Sequence, residues 1–125
     1  MDARPDVVAS GVFDTEEFSV ELDAASANKQ LGTAVWFEND RIRVWEVLLE
    51  PGERGAFHSH TTNYFWTVVS ASRGRQRFSD GTFIVRDYVV GETKYLEHSP
   101  ESELIHDLEN VGESTLRFVT VELLD

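Results

Sequence analysis

Three histidines carry the most specific chemical signal in the sequence. His58 and His60 lie two residues apart, and on a β-strand residues at this spacing point to the same face. His106 lies in a later β-prone stretch, where Leu104 and Leu108 share its parity. Two imidazoles from one strand and a third from a neighbouring strand can hold a divalent metal inside a barrel. The alternative is that each is a surface or core histidine, because an H-x-H pair also arises by chance.

A site built from three neutral imidazoles would leave the full double positive charge on the ion. Such ligands suit Fe(II), Zn, Ni, Co or Cu and disfavour Mg and Ca, which prefer oxygen ligands. Open coordination positions would remain for water, substrate or O₂. The sequence therefore predicts one divalent transition metal at His58, His60 and His106, acting as a Lewis acid or lowering the pKa of a bound water molecule.

Tyr64 has the same parity as His60 and is the candidate catalytic residue. Its phenol can serve as a metal ligand, as a hydrogen-bond partner of a ligand, or as a general acid or base, and a core tyrosine is the alternative. Glu46 also has two interpretations. If Val44 faces the interior, Glu46 is a buried carboxylate with a raised pKa and a candidate base or ligand. If Trp45 faces the interior instead, Glu46 is exposed.

His98 lies in a polar stretch from Glu97 to Glu101 and is predicted to be an exposed loop histidine. It would reach a substrate only if that loop folds over the mouth of the barrel. Five arginines alternate along two strands and are predicted to form a solvated outer face that pairs with acidic residues. The alternative is that one of them points inward and binds a substrate carboxylate. These arginines are Arg41, Arg43, Arg73, Arg75 and Arg77.

Length and composition limit the class of protein. The chain has 125 residues and a mass of 14.2 kDa, which is enough for one domain with its own core. It has no cysteine, which excludes disulfides, Fe–S clusters and thiol nucleophiles. Eleven Lys and Arg against 23 Asp and Glu give a net charge of −12, which opposes binding to nucleic acid or to anionic membranes. The acidic start of the chain, without an apolar signal core or a spanning segment, predicts a cytoplasmic protein.

The histidines must be positioned by β-strands, since no segment after residue 32 shows a helical period. Asp80-Gly81 predicts a type I′ hairpin turn. The fold class is all-β, a sandwich or small barrel of residues 33–125, preceded by an extension of residues 1–32 that packs on the barrel or on a partner. In the extension, Asp14 is predicted to cap a short helix, with a short strand as the alternative. Strands are predicted over residues 33–38, 41–50, 64–71, 75–79, 82–90, 104–111 and 115–124.

Two segments resemble the motifs of the cupin family. Residues 52–60 have the glycine, the five intervening residues and the H-x-H that open the first motif. Gly91-Glu92 and residues 106–110 resemble the start and the end of the second motif. The resemblance covers about residues 33–124. It departs from the family in several places, the most important being that the two positions at which a glutamate usually follows the H-x-H are occupied by Tyr64 and Phe65.

The resemblance implies a single cupin β-barrel of the jelly-roll type, with two packed antiparallel sheets and the metal held by His58, His60 and His106. It implies a small-molecule enzyme, similar to the family's dioxygenases with three-histidine iron sites or to its lyases and isomerases, that acts on a small carboxylate or carbonyl compound. A non-catalytic cupin that binds a small molecule is the alternative, since the family's glutamate is missing. Cupins commonly pair through their strands, so a homodimer is expected. Residues 39–47 and 108–113 further resemble small cupins assigned to beta-alanine degradation.

Overall fold

The computed structural model describes residues 7–124, and these residues are mostly β-structure. A short α-helix and three 3₁₀ turns accompany ten strands in this part of the chain. The strands are β1 (Val7–Val12), β2 (Ala34–Glu38), β3 (Ile42–Leu49), β4 (Arg54–His60), β5 (Asn63–Ser70), β6 (Ser72–Arg77), β7 (Thr82–Tyr88), β8 (Thr93–Leu96), β9 (Leu104–Asn110) and β10 (Leu116–Leu123). Helix α1 spans Ser19–Ala24, and the 3₁₀ turns span Thr15–Phe18, Ala25–Ala27 and Pro100–Ser102.

The ten strands form two five-stranded antiparallel sheets. The first sheet has the order β1-β7-β6-β9-β4, and the second has the order β2-β3-β10-β5-β8. This architecture confirms the predicted all-β fold with two packed sheets. The seven predicted strands are all present within a few residues of their expected bounds. β1 and β8 were not predicted from the sequence, and β4 was expected only as the strand that would carry His58 and His60.

The core lies between the two sheets, and alternation along the strands of the second sheet shows which side chains reach it. Along β3 the residues Trp45, Val47 and Leu49 are buried, and the residues between them are half-buried on the outer face. The same alternation holds along β5 and β10, as expected for strands with one face against a core. The buried cluster comprises Val47, Leu49, Tyr64, Trp66, Val68, Tyr88, Leu116 and Phe118.

The turn between β6 and β7 differs from the predicted type I′ geometry. A type I′ turn needs a positive φ at both central positions, but only Gly81 has one, at +92°. The Gly81 amide donates to the carbonyl of Phe78 at 3.0 Å, and the Phe78 amide donates to the carbonyl of Thr82 at 2.8 Å. The loop is therefore one residue longer than predicted, which confines the left-handed conformation to the glycine.

The N-terminal segment covers the free edge of β4, the strand that carries two of the three histidines. The backbone carbonyl of Asn28 accepts from the Ser59 amide at 2.8 Å. The Asn28 side chain donates to the carbonyl of Phe57 at 3.0 Å. The carboxylate of Glu21 in α1 accepts from the Phe57 amide at 2.7 Å. Strand β1 pairs with β7 at the other edge of the same sheet. Residues 1–6 of the expected extension lie outside the described residues, and its separation from the barrel as a unit stays a prediction.

The start of the helical segment follows the predicted cap. Asp14 accepts from the Glu16 amide at 3.0 Å and precedes the 3₁₀ turn that leads into α1, so the helical alternative is confirmed. None of the helices within residues 7–124 is long and apolar enough to cross a membrane.

Candidate metal site

The pairing of β4 with β9 brings the three histidines together. His58 lies directly opposite His106 in the antiparallel register, and His60 follows two residues later on the same face of β4. The Nε2 atom of His60 lies 3.1 Å from Nε2 of His58 and 3.0 Å from Nε2 of His106. Candidate ligand atoms of all three residues lie within 4.8 Å of one another. The cluster joins positions 46 residues apart in the sequence, because the two strands are neighbours in the sheet.

The second nitrogen of two of these rings has a hydrogen-bond acceptor. Nδ1 of His58 donates to the carbonyl of Ala56 at 2.8 Å, and Nδ1 of His106 donates to Oε1 of Gln76 at 2.8 Å. With the proton held on Nδ1, each ring presents the lone pair of Nε2 to the centre of the cluster. Nδ1 of His60 is buried without a hydrogen-bond partner among the described residues.

Burial favours the neutral form of all three imidazoles. It lowers the pKa of His58, and it lowers the pKa values of His60 and His106 well below the ordinary value, with neighbouring histidines adding to the shift. Neutral imidazoles whose lone pairs converge are the donor set that a transition-metal ion requires. The Nε2 atom of His60 is close enough to each of the other two Nε2 atoms, at 3.1 and 3.0 Å, for one ion to contact both nitrogens of a pair at the usual bond length of about 2.1 Å. The residues present therefore fit a divalent ion.

Gln76 orients His106, and the amide is itself oriented by Tyr88. The Nε2 atom of Gln76 donates to the Tyr88 hydroxyl at 2.7 Å, which leaves Oε1 to accept from His106. Arg86 also hydrogen-bonds to the Tyr88 side chain and forms an ion pair with Glu92. This chain of contacts links the ligand on β9 to side chains of β6 and β7, and it determines which His106 nitrogen carries the proton.

Replacing Gln76 with leucine is expected to weaken divalent-metal binding by about 10- to 100-fold, because His106 loses the acceptor that holds its proton on Nδ1. Gln76→Glu should preserve the affinity, since a carboxylate accepts the same hydrogen bond. Competition between the protein and a coloured chelator for Co(II) measures the change. Gln30→Leu is the matched control, because the Gln30 side chain donates to the carbonyl of Gly32 at 3.2 Å and not to a histidine of the cluster. Equal affinities of wild type and Gln76→Leu would contradict the assigned role.

The metal-free protein is expected to lose stability as the pH falls below 6.5. In the unfolded chain the histidines take up protons near their ordinary pKa of 6.5, whereas His60 and His106 stay neutral in the folded chain. The unfolded state then binds more protons, so each of these two histidines lowers the free energy of unfolding by about 1.4 kcal/mol per pH unit until its folded pKa is reached. Urea unfolding of chelator-treated protein between about pH 7.5 and pH 5 measures the slope. His106→Asn should reduce it, and a stability independent of pH in this range would contradict the prediction.

Tyr64 lies beside the cluster, as its parity predicted. Its ring stacks on His60 with centroids 4.1 Å apart and an interplanar angle of 15°. The side chain is buried and lines the central cavity, and burial raises the pKa of its phenol. The structure thus brings the candidate catalytic residue into contact with a candidate ligand.

His98 differs from its predicted exposed position. The loop after β8 places its ring 5.9 Å from the Tyr64 ring and 6.4 Å from the His60 ring, measured between centroids. Its backbone amide donates to Oδ1 of Asn63 at 3.1 Å, and Nδ1 lies 3.2 Å from the carbonyl of Ser102. Nε2 is buried without a hydrogen-bond partner among the described residues. The alternative in which the loop folds over the barrel is therefore the correct one, because side-chain and backbone acceptors hold the histidine there.

A cavity of about 670 Å³ lies between the sheets and includes the histidine cluster in its lining. Side chains of both sheets line it, among them Tyr64, Trp66, Gln76 and Phe118. The lining also includes the exposed side chain of Lys94, so the cavity reaches solvent. The histidines are thus accessible to a small molecule.

Glu46 and the alternating arginines lie outside this cavity. Trp45 faces the interior, so Glu46 is on the outer face, where it accepts from Arg117 at 2.7 Å. None of the five arginines singled out from the sequence lines the cavity. Four of them pair with acidic side chains: Arg43 with Glu38 and Glu122, Arg73 with Asp87, Arg75 with Glu109, and Arg77 with Asp107 and Glu109.

Sequence analysis missed Gln76 and Arg86. A signal for Gln76 was available, because Arg73, Arg75 and Arg77 alternate along β6 and the glutamine has the opposite parity. An outward arginine row implies that Gln76 faces inward. Arg86 has no such pattern, and its burial becomes evident only from its pairing with Glu92.

Comparisons with known proteins identify the fold. Scans of the sequence against protein-family models and against curated proteins give no match. Among solved structures, a cupin domain from Bordetella pertussis superposes with a TM-score of 0.63 at 19% identity, over 72% of this chain and 88% of that one. A conserved protein with a double-stranded β-helix domain from Klebsiella pneumoniae gives 0.58 at 22% identity, over 82% and 85%. Oxalate decarboxylase gives 0.52 at 21% identity, over 91% of this chain but 25% of that one.

The chain therefore has the cupin fold, a double-stranded β-helix, as its two histidine motifs predict. The positions that resemble the motif histidines are the ones that converge in the barrel. These similarities carry no information on the further resemblance to beta-alanine degradation proteins, which stays a prediction.

Proposed function

We propose that the protein is a metal-dependent small-molecule enzyme whose ion is held by His58, His60 and His106. The observation that carries the proposal is the convergence of three imidazoles, two buried and one half-buried, on one wall of an accessible cavity. Fe(II), Zn, Ni, Co and Cu all suit these donors. A buried polar cluster of this kind is the usual position of a ligand site in a pocket that is otherwise mostly apolar.

The chemistry we propose acts on a small carboxylate or carbonyl compound. A divalent ion would supply Lewis-acid polarisation and, as Fe(II), dioxygenase-like oxidation. The chain's own residues bind and orient: Gln76 holds His106, and Tyr64 supplies a hydroxyl group beside His60. Tyr64 is the proposed catalytic residue. The cytoplasmic location expected from the sequence stays part of this proposal.

A non-catalytic cupin that binds a small molecule is the second candidate. It is favoured by one observation, namely that the metal-binding group found among the described residues consists of histidines alone, without a carboxylate. A carboxylate ligand is what the family's first motif usually provides at the position of Tyr64. Both candidate functions predict that the protein binds a metal ion, but only the enzyme predicts turnover of a substrate.

Elemental analysis of the purified protein, followed by assays of each reconstituted metal form, tests the proposal. We expect about one transition-metal ion per chain and O₂ uptake by the Fe(II) form with a diketone, thiol or carboxylate. Metal binding without O₂ uptake would favour a lyase or an isomerase, and metal binding without any turnover would favour the binding module. Failure to bind any of the five metals would overturn the proposed function.

We also propose a homodimer that pairs through the outer face of the second sheet. One apolar row crosses all five strands of that sheet in register, and it consists of Phe37, Val44, Val121, Phe65 and Tyr95. Phe37 and Tyr95 are 53% and 52% exposed. A continuous apolar row on the outside of a sheet is typical of a surface that a partner covers.

Light scattering is expected to give about twice the chain mass of 14.2 kDa. Val121→Lys places a charge in the centre of the row and should produce monomers, because burying an unpaired charge in an interface is costly. Val12→Lys, at an exposed position of the other sheet, is the control and should leave the dimer intact. A monomeric wild type at micromolar concentration would contradict the proposal.

A further inference from the structure

The wall of the cavity opposite the histidines is apolar and partly aromatic. The histidines project from β4 and β9 of the first sheet, whereas Trp66 and Phe118 line the same cavity from the second sheet. These two rings stack with centroids 5.3 Å apart and an interplanar angle of 19°. Val47 and Leu49 extend the same wall along β3. A molecule bound at the histidines therefore has apolar side chains across from it.

The buried polar groups of the lining are mostly engaged with one another. Arg86 is 5% exposed and is paired with Glu92, so its positive charge is already compensated. Gln76 uses both ends of its amide, on His106 and on Tyr88. Arg86 and Gln76 are thus already engaged, and a polar substrate body would find its partners mainly at the histidines, Tyr64, Lys94 and Thr120.

The size of the cavity also favours a ligand with an apolar body. Its 670 Å³ lie within the range of about 300–1,000 Å³ that is usual for pockets that enclose organic ligands. A two-carbon acid at the metal would leave most of this space to water held against apolar side chains. Displacing such water with apolar groups is favourable, at about 25 cal/mol per Å² of apolar surface buried.

We propose that the substrate is a carbonyl or carboxylate compound with an apolar body about the size of an aryl ring. The oxygen-bearing head lies at the three histidines, and the body lies against Trp66, Phe118, Val47 and Leu49. The inference rests on the proposed metal site and adds the class of molecule that the site accepts. A small, fully polar acid would not fill the apolar part of this cavity and is not the substrate that we propose.

Hydroxamates test the inference, because one metal-chelating head can carry different bodies. The Co(II) form is titrated with acetohydroxamate, propionohydroxamate, glycolohydroxamate and benzohydroxamate, and the visible absorption of Co(II) reports binding. Each affinity is divided by the affinity of the same hydroxamate for Co(II) in water. We expect benzohydroxamate to bind at least about tenfold more tightly than acetohydroxamate. Propionohydroxamate should exceed glycolohydroxamate, in which a hydroxyl group replaces the terminal methyl group.

A pair of matched variants locates the selectivity. Phe118→Leu shortens the proposed wall and should reduce the preference for benzohydroxamate over acetohydroxamate by about threefold or more. Phe65→Leu makes the same change on the outer face of the neighbouring strand and should leave the preference unchanged. If Phe118→Leu does not fold, the hydroxamate affinities of the wild-type protein still test the inference.

The outcomes separate this inference from the proposed function. A Co(II) spectrum with equal corrected affinities across the series, or with weaker binding of benzohydroxamate, overturns the inference and leaves the metal site intact. A preference that Phe65→Leu and Phe118→Leu reduce equally also overturns it. Absence of a Co(II) spectrum overturns the inference, because it removes the metal site on which the inference rests. If Fe(II), Zn, Ni and Cu also fail to bind, the proposed function is overturned with it.

Discussion

Replacing His106 with alanine is expected to remove most of the affinity for a divalent metal. Structural zinc sites with four ligands bind with about 10–16 kcal/mol, so one donor contributes about 3 kcal/mol, or roughly a 10²-fold change in affinity. The loss should be at least as large here, since His58 and His60 would be the only imidazoles left in the cluster. Competition with a chelator for Co(II) or Zn(II) measures it.

The comparison between variants makes this prediction specific. His60→Ala should behave like His106→Ala, although the two residues are far apart in the sequence. His98→Ala is the control and should keep the metal, because His98 lines the cavity without joining the ligand cluster. If His106→Ala retained wild-type affinity, the three-histidine site would be wrong, and most of the support for an enzyme would be lost with it.

Replacing Tyr64 with phenylalanine is expected to lower turnover by about 10²- to 10⁴-fold, as is usual when a group that donates or accepts a proton is removed. Phenylalanine keeps the ring that stacks on His60, so packing and metal content should stay near wild type. The kcat/KM for whichever substrate the assays of the metal forms identify, together with the Co(II) spectrum, measures the two effects separately.

Tyr95→Phe is the matched control for Tyr64. It removes the same hydroxyl group from an exposed tyrosine of β8, which contacts Glu97 and not the cavity. Loss of metal in Tyr64→Phe would identify the phenol oxygen as a ligand instead of a proton donor. Unchanged metal and unchanged turnover would show that Tyr64 is a core residue and that its proposed catalytic role is wrong.

The barrel and its histidines could be predicted because both depend on short-range patterns. Strand alternation and turn residues predict the sheets, and the H-x-H spacing puts His58 and His60 on one face of whichever strand carries them. Placing His106 beside His58 and His60 required the strand order of the fold, and the resemblance to the cupin motifs supplied it. Strand alternation and the H-x-H pair are thus encoded within a few residues of each position, whereas the partnership with His106 is not.

The features that could not be predicted depend on contacts between distant segments. Both faces of β3 carry apolar residues, so parity alone does not decide whether Glu46 or Trp45 faces the core. The polar sequence around His98 predicts an exposed loop, and only the contacts with Asn63 and Ser102 bring the ring to the cavity. Strand β1 is likewise recognisable only from its partner β7.

The cover that the N-terminal segment places on β4 also bears on how the protein avoids self-association. β4 is the last strand of its sheet, and an unpaired strand edge is a template on which another chain can add. The amides of Phe57 and Ser59 point to that edge, and Glu21 and Asn28 already accept from them. An incoming strand would have to displace this cover before it could pair. The segment that completes the sheet beside the histidines is therefore also its protection against edge-to-edge aggregation.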